Sequence, residues 1–237
     1  MTVDSPDSRH GFSNAAAVPR RDRLARLLND PRPPTIGLRL AVLPFLFVPW
    51  LLLYEWVVYL GPLRGSFETY LPGELHWPIW QWTELLYLSP YVLVTIAPFL
   101  APTRAALWRF VSAAVIAIVI GMLFFLLVPA LSTPRPFHAT NMLGRMMLVD
   151  RMLDRNNGSA SLPSFHVVWA FLGASVFAQC QRRRVLCAGC WAWATLVAAS
   201  CVFTGMHSLI DVVAGFVLFL LVQRLVWRLA SPRHIMD

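Results

Sequence analysis

Five polar residues stand out in an otherwise apolar chain. His207 and Asp211 lie four residues apart within SCVFTGMHSLIDVVAGF, residues 200–216. Placed on one helix, they share a face. A carboxylate at that spacing orients an imidazole, fixes its tautomer and stabilises its charged form. An oriented imidazole is a base or a nucleophile. An aspartate at the centre of a membrane helix costs roughly 2.5–3.5 kcal/mol, so its presence needs a reason. The stretch LPSFHVVWA, residues 162–170, reads as a helix start. Pro163 suits a first helical turn, where its missing N–H costs nothing. Ser164 and the free N–H groups there are suited to an anion, and His166 would stand beside it. Arg135, in LSTPRPF, offers a planar fork matched to phosphate oxygens. Together these read as a phosphoryl-transfer site. One histidine attacks, the other handles the leaving group's proton, and Arg135 and Ser164 hold the phosphate.

The elements that must position them are membrane helices. Of 237 residues 57% are apolar and 14% charged, against about 25% charged in a soluble domain. Mean hydropathy is +0.59. Six apolar runs, about 38–60, 81–101, 108–130, 164–180, 186–204 and 207–229, have the length that a helical span needs. They follow closely on one another and predict one all-α membrane domain over 36–231, a six-helix bundle. Residues 1–35, polar and rich in Pro and Arg, read as a disordered cytoplasmic tail, and 232–237 as a short cytoplasmic tail. No cleavable signal peptide is expected, because the first apolar run is late and long. Pro44, Pro49, Pro90 and Pro98 are expected to kink the first two spans.

All 20 basic residues are Arg. The isoelectric point near 10.2 reflects topology rather than nucleic-acid binding. Seven arginines precede or open the first run, Arg104 and Arg109 flank the second connection, Arg182, Arg183 and Arg184 form the fourth, and Arg224, Arg228 and Arg233 close the chain. The positive-inside rule then places both termini in the cytoplasm, with Trp77, Trp80 and Trp82 as an outer aromatic belt. On this topology Arg135, Ser164, His166, His207 and Asp211 reach one extracytoplasmic face from three separate segments. Cys187 and Cys190 have metal or redox spacing but no second ligand pair, and read as small helix-packing residues. Glu55 and Glu84, near outer span ends, are expected to snorkel to the interface, with the lining of a headgroup pocket as the alternative, and His76 and His138 to lie on outer loops. In the third, outer connection, about 131–162, Met142, Met146, Val149 and Leu153 recur at helical spacing among Arg145, Asp150, Arg151 and Asp154. A short interfacial helix over the site entrance is expected, with packing alone as the alternative.

These residues resemble the type 2 phosphatidic acid phosphatase (PAP2) superfamily, six-helix membrane enzymes of lipid phosphates. Of its first block, Lys, six residues, Arg-Pro, only Arg135-Pro136 is present, with Val128 at the Lys position. Its second, Pro-Ser-x-His, is Pro163-Ser164-Phe165-His166. Of its third, Ser-Arg, five residues, His, three residues, Asp, Ser200, His207 and Asp211 are present, with Cys201 for the Arg. The resemblance spans residues 108–225. It implies that His207 forms a phosphohistidine, Asp211 orients it, His166 protonates the leaving group, and Arg135 and Ser164 bind phosphate, with no metal or other cofactor. The FTGMHSLIDVVAG run also resembles the inositol phosphorylceramide synthase-like branch, which moves a headgroup between lipids.

The missing cations suit a singly charged phosphodiester better than a phosphomonoester of about −1.5 to −2. Arg145, Arg151 or Arg155 folding over the site would replace them. Headgroup transfer to a lipid alcohol is therefore set slightly ahead of hydrolysis of phosphatidic acid or a polyprenyl (pyro)phosphate. A lipid transporter or inactive relative is a second class, and a proton path a third. The chain is expected in a bacterial plasma membrane, with phospholipid or polyprenyl phosphate and the bilayer as its partners.

Overall fold

The computed structural model describes residues 20–153 and 157–231. Asp154 and Arg155, the tail residues 1–19 and the C-terminal 232–237 lie outside them. The chain is built of helices: α1 (Arg20–Leu28), α2 (Ile36–Leu60), α3 (Glu84–Leu100), α4 (Arg104–Leu127), α5 (Met142–Leu153), α6 (Phe165–Cys180), α7 (Arg184–Phe203) and α8 (Leu209–Ala230). Thr35 and Thr103 cap α2 and α4 by accepting from the N–H of the third residue of each helix, which satisfies donors that a helix start leaves open. Both α2 and α3 run on through their prolines.

Among the described residues, five helices are long and apolar enough to cross a membrane: α2, α3 with its preceding turn, α4, α7 and α8. The sixth expected span, α6, has 16 residues, or about 24 Å at 1.5 Å per residue, and falls short of that length. It packs against α3, α4, α7 and α8, and Val167, Val168, Ala170, Leu172 and Ala174 on it are wholly buried. By contrast, most of α2 is exposed, including Phe45, Leu52 and Tyr59. Gly215 lets α8 approach α6 closely. A Cβ there would lie 2.5 Å from the Ser164 carbonyl oxygen and 3.1 Å from Val167 Cβ, an approach that small residues permit between membrane helices.

At one end of the bundle, residues 20–28 of the polar N-terminal stretch form α1, which packs on α4 and α8. Arg109 fastens that corner. Its Nε donates to Leu28 O at 2.8 Å, a terminal N–H donates to Asn29 Oδ1 at 2.9 Å, and its guanidinium lies 4.1 Å from the Trp227 ring centre. At the opposite end, two long connections meet. Phe67–Glu68 (β1) pairs in parallel with Ala130–Leu131 (β2), in register Phe67 to Ala130 and Glu68 to Leu131. This short pairing draws Thr69 and Ser132 together just beyond it. A helix, α5, forms in this connection. Met142 and Val149 are exposed and Met147 is buried.

Candidate active site

The polar end is organised around Asp211, which is completely buried. It is the third residue of α8 and closes a capping box with Ser208. Its N–H donates to Ser208 Oγ at 3.2 Å, and its Oδ2 accepts from Ser208 N–H at 3.0 Å. The Ser132 hydroxyl donates to Oδ2 at 2.6 Å, and Thr69 Oγ1 donates to Oδ1 at 3.3 Å. The Ser132 and Thr69 hydroxyl oxygens are also in direct contact, so the one proton on each is divided between the carboxylate and the other hydroxyl. The Asp211 carbonyl accepts from Ser164 N–H at 3.0 Å, tying the start of α6 to the first turn of α8. Asp211 therefore joins α8 to both loops through its carboxylate and to α6 through its backbone carbonyl.

His207 is not on that helix. The helix begins at Leu209 because Ser208, with extended backbone, is its cap, so His207 sits one residue before the cap. The one-helix reading of His207 and Asp211 is corrected accordingly, yet the two remain neighbours. His207 Nδ1 lies 3.5 Å from Asp211 Oδ2, outside hydrogen-bond geometry, and Nδ1 has no hydrogen-bond partner. With Nδ1 turned toward the carboxylate, Nε2 is the nitrogen left for chemistry. The loop is held tightly. His207 N–H donates to Cys201 O at 3.1 Å, and Gly205, at φ +72°, has its carbonyl bonded by Arg135 N–H at 2.9 Å and Tyr70 Oη at 3.3 Å. Burial raises the Tyr70 phenol above its usual range.

His166 is the second residue of α6. Its ring stacks on Tyr87 at 3.9 Å between centres, meets Tyr91 edge-on at 5.1 Å, and lies 5.6 Å from the His207 ring. Its Nε2 is buried without a partner. The two histidines face a small cavity of about 20 Å³, walled by Trp50, Tyr54, Tyr91 and Phe165, with room for about one water. Two imidazoles, one from α6 and one from the loop before α8, thus share an aromatic-walled cavity, each with an open nitrogen.

The remaining expected residues stand around this core. Ser164 caps α6, so Pro163 precedes the cap rather than entering the first turn. The Ser164 N–H is occupied by Asp211 O, and its Oγ is 3.9 Å from the buried Sγ of Cys201. Arg135 is buried and tethered. It donates to Glu74 O at 3.0 Å, to Trp77 O at 2.6 Å and to Val202 O, and only its Nε has no partner. Arg151, on α5, folds onto the same loop, donating to Arg135 O at 2.7 Å and Thr204 O at 2.8 Å. Its guanidinium lies 4.5 Å from the Phe137 ring centre, and burial lowers its pKa. Arg145 is exposed. Glu84, expected at the interface, is 1% exposed, with neither oxygen partnered. Glu55 is exposed. Among the described residues, no group of three or more His, Cys, Asp or Glu could hold a metal.

Several residues at this end had gone unremarked: Thr69, Glu74, Ser132, Ser208 and Tyr87. Ser208-Leu209-Ile210-Asp211 carries a legible capping pattern. Tyr87 follows Glu84 by one turn and precedes Tyr91 by another, so a polar-aromatic stripe on α3 was also legible. Thr69, Glu74 and Ser132 arrive from loops and carry no local signal. A family model described as the PAP2 superfamily matches residues 74–225. No curated protein and no solved structure matches the chain.

Proposed function

This chain belongs to the PAP2 superfamily, and from that premise we propose that it transfers a lipid-linked phosphoryl headgroup through a phosphohistidine on His207. Membership supports a phosphatase-type lipid function in a multi-pass membrane protein, and the reading extends it to these residues. The observation that carries it is the pairing of two open imidazoles, 5.6 Å apart, with the buried Asp211 carboxylate beside one of them. In the first step, the His207 Nε2 lone pair attacks phosphorus. The bond from phosphorus to the leaving oxygen breaks, and His166 donates a proton to that oxygen. Asp211 holds His207 in place and offsets the positive charge on its ring. In the second step, an acceptor O–H attacks phosphorus, His166 takes its proton, and the phosphorus–nitrogen bond breaks.

Charge favours a phosphodiester donor and an alcohol acceptor. Arg135 spends its terminal N–H groups on backbone carbonyls, as does Arg151, and Val128 and Cys201 contribute no charge. A site with so few open cations suits one negative charge better than two. Hydrolysis of phosphatidic acid or a polyprenyl pyrophosphate is the second reading, supported by the superfamily itself. In either case the walls of the 20 Å³ cavity must part to admit a phosphate. We place α6 as the sixth membrane crossing, both termini in the cytoplasm and the site on the extracytoplasmic side, in keeping with the arginine distribution.

The test uses purified protein in liposomes with labelled phosphatidic acid, a polyprenyl pyrophosphate, and phosphodiester lipids offered with diacylglycerol or ceramide. Wild type should form a new phosphorylated lipid, and His207→Ala should lose at least about 10³-fold in rate. Free phosphate as the His207-dependent product would establish hydrolysis instead. Lipid turnover undiminished in His207→Ala would end the phosphohistidine reading.

A further inference from the structure

Two indoles wall the histidine cavity with N–H groups that lack an acceptor. Trp50, midway along α2, and Trp169, early in α6, line the same cavity as His166 and His207. Nε1 of each is buried and has no hydrogen-bond partner. Trp169 follows His166 by three residues, so the two share a face of α6. Its ring centre is 5.9 Å from that of Trp50, with the planes at 87°. In an edge-to-face pair one ring points its edge at the other's face, so an N–H lodged against a π face satisfies one indole at most. At least one donor therefore stays open. Buried donors in that state are rare and costly.

The chemistry that completes the pair is narrow. An indole N–H donates, cannot accept and carries no charge, so the ligand must bring acceptors. Among the described residues no Arg, Asp or Glu lines the cavity. Its polar lining is the two imidazoles, the two indoles and the phenols of Tyr54, Tyr87 and Tyr91. The Asp211 carboxylate stands 3.5 Å from His207 Nδ1, and it repels a doubly charged ligand more than a singly charged one. The terminal N–H groups of Arg135 and Arg151 are turned to backbone carbonyls. A phosphodiester meets these conditions. It carries one negative charge and presents two non-bridging oxygens to two neutral donors.

We infer that the indole N–H groups of Trp50 and Trp169 bind the two non-bridging oxygens of a lipid phosphodiester whose phosphorus faces His207, in place of the cations absent at Val128 and Cys201. Donors already aimed at those oxygens also steady the charge that gathers on them as phosphorus is attacked. The inference rests on the phosphotransfer reading for its use, while binding is measured apart from turnover.

The probes are phosphatidylethanol, a diester with a minimal headgroup, and its ether-linked analogue with chains of the same length. Equilibrium binding and turnover are measured in detergent micelles with wild type, Trp50→Phe, Trp169→Phe and His207→Ala. Each Phe variant keeps an aromatic ring and loses the donor. Each should bind phosphatidylethanol about tenfold more weakly than wild type, as befits a hydrogen bond to a charged group. The ether-linked analogue should show the same loss. Undiminished binding in either folded Phe variant overturns the inference. So does a loss confined to the ester-linked lipid, which would assign the indoles to ester carbonyls. In wild type carrying 15N-labelled tryptophan, the diester should move two of the ten indole N–H resonances downfield. A spectrum in which none moves overturns the inference whatever the folding of the variants. Trp-dependent binding with no His207-dependent turnover supports the subsite and defeats the phosphotransfer reading alone.

Discussion

The two sides of the candidate site differ in how completely their polar groups are satisfied. On the Asp211 side, the carboxylate accepts from Ser208, Ser132 and Thr69, and its own backbone bonds α6 and the α8 cap. On the histidine side, His166 Nε2 and His207 Nδ1 have no hydrogen-bond partner, and neither have the two Glu84 oxygens at the start of α3. The first side is a scaffold, and satisfied buried networks hold one geometry. The second side is a set of groups kept open, at a cost the scaffold must offset. Proteins place unsatisfied polar groups where a ligand or a reaction will satisfy them, and the division here runs between two neighbouring residues, His207 and Asp211.

Three substitutions probe that division. Asp211→Asn should have the largest effect, because it strikes both sides. An amide cannot accept on both ends, so one donor from Ser208, Ser132 or Thr69 faces an NH₂ group. Stability should fall by about 2 kcal/mol and turnover by on the order of 10²-fold or more, as an unheld imidazole loses its charge partner. Thermal unfolding and kcat measured on one preparation separate the two. Intact turnover in a destabilised protein would make Asp211 purely structural.

Gly205→Ala comes next. At φ +72° an alanine is strained, and its Cβ would lie 3.0 Å from Ile79 Cδ1 and 3.2 Å from Arg135 Cβ. A loss of about 1–2 kcal/mol is expected, with a fall in kcat as the His207 loop shifts. A stability loss without a kinetic one would show that His207 is positioned independently of the turn. Ser132→Ala should be the mildest, about 1 kcal/mol, since Thr69 and Ser208 still serve the carboxylate. Its kcat should stay within a few-fold of wild type, and a loss matching that of Asp211→Asn would move Ser132 from the scaffold into the reaction.

Much of the bundle was legible beforehand because lipid demands long apolar helices. The runs at 38–60, 81–101, 108–130, 186–204 and 207–229 correspond to five long helices. The exception is instructive. The run 164–180 was apolar enough for a span, and α6 follows it with 16 residues, its N-terminal half largely buried against other helices. Hydropathy measures the first property and says nothing of the second. Helix boundaries were misread where capping decides them. Helix α8 starts after the capping Ser208 and α6 after Ser164, so His207 and Pro163 fall outside those helices.

For the site, the sequence by itself determined the chemical inventory: two histidines, an aspartate, a serine and an arginine at spacings that topology brings to one end. Residue type and local spacing are enough for that, because covalent order sets which groups a short helix start can present. Tertiary structure alone decided which of them stay open. Arg135 reads as a free phosphate fork in the chain, yet in the fold its terminal N–H groups meet carbonyls from residues 74, 77 and 202. Glu84 reads as an interfacial carboxylate, yet it is enclosed. Thr69 and Ser132, 63 residues apart, converge on Asp211 through the pairing of two residues with two. Whether a polar group is satisfied depends on every segment that reaches it, and that count exists only once the chain has folded.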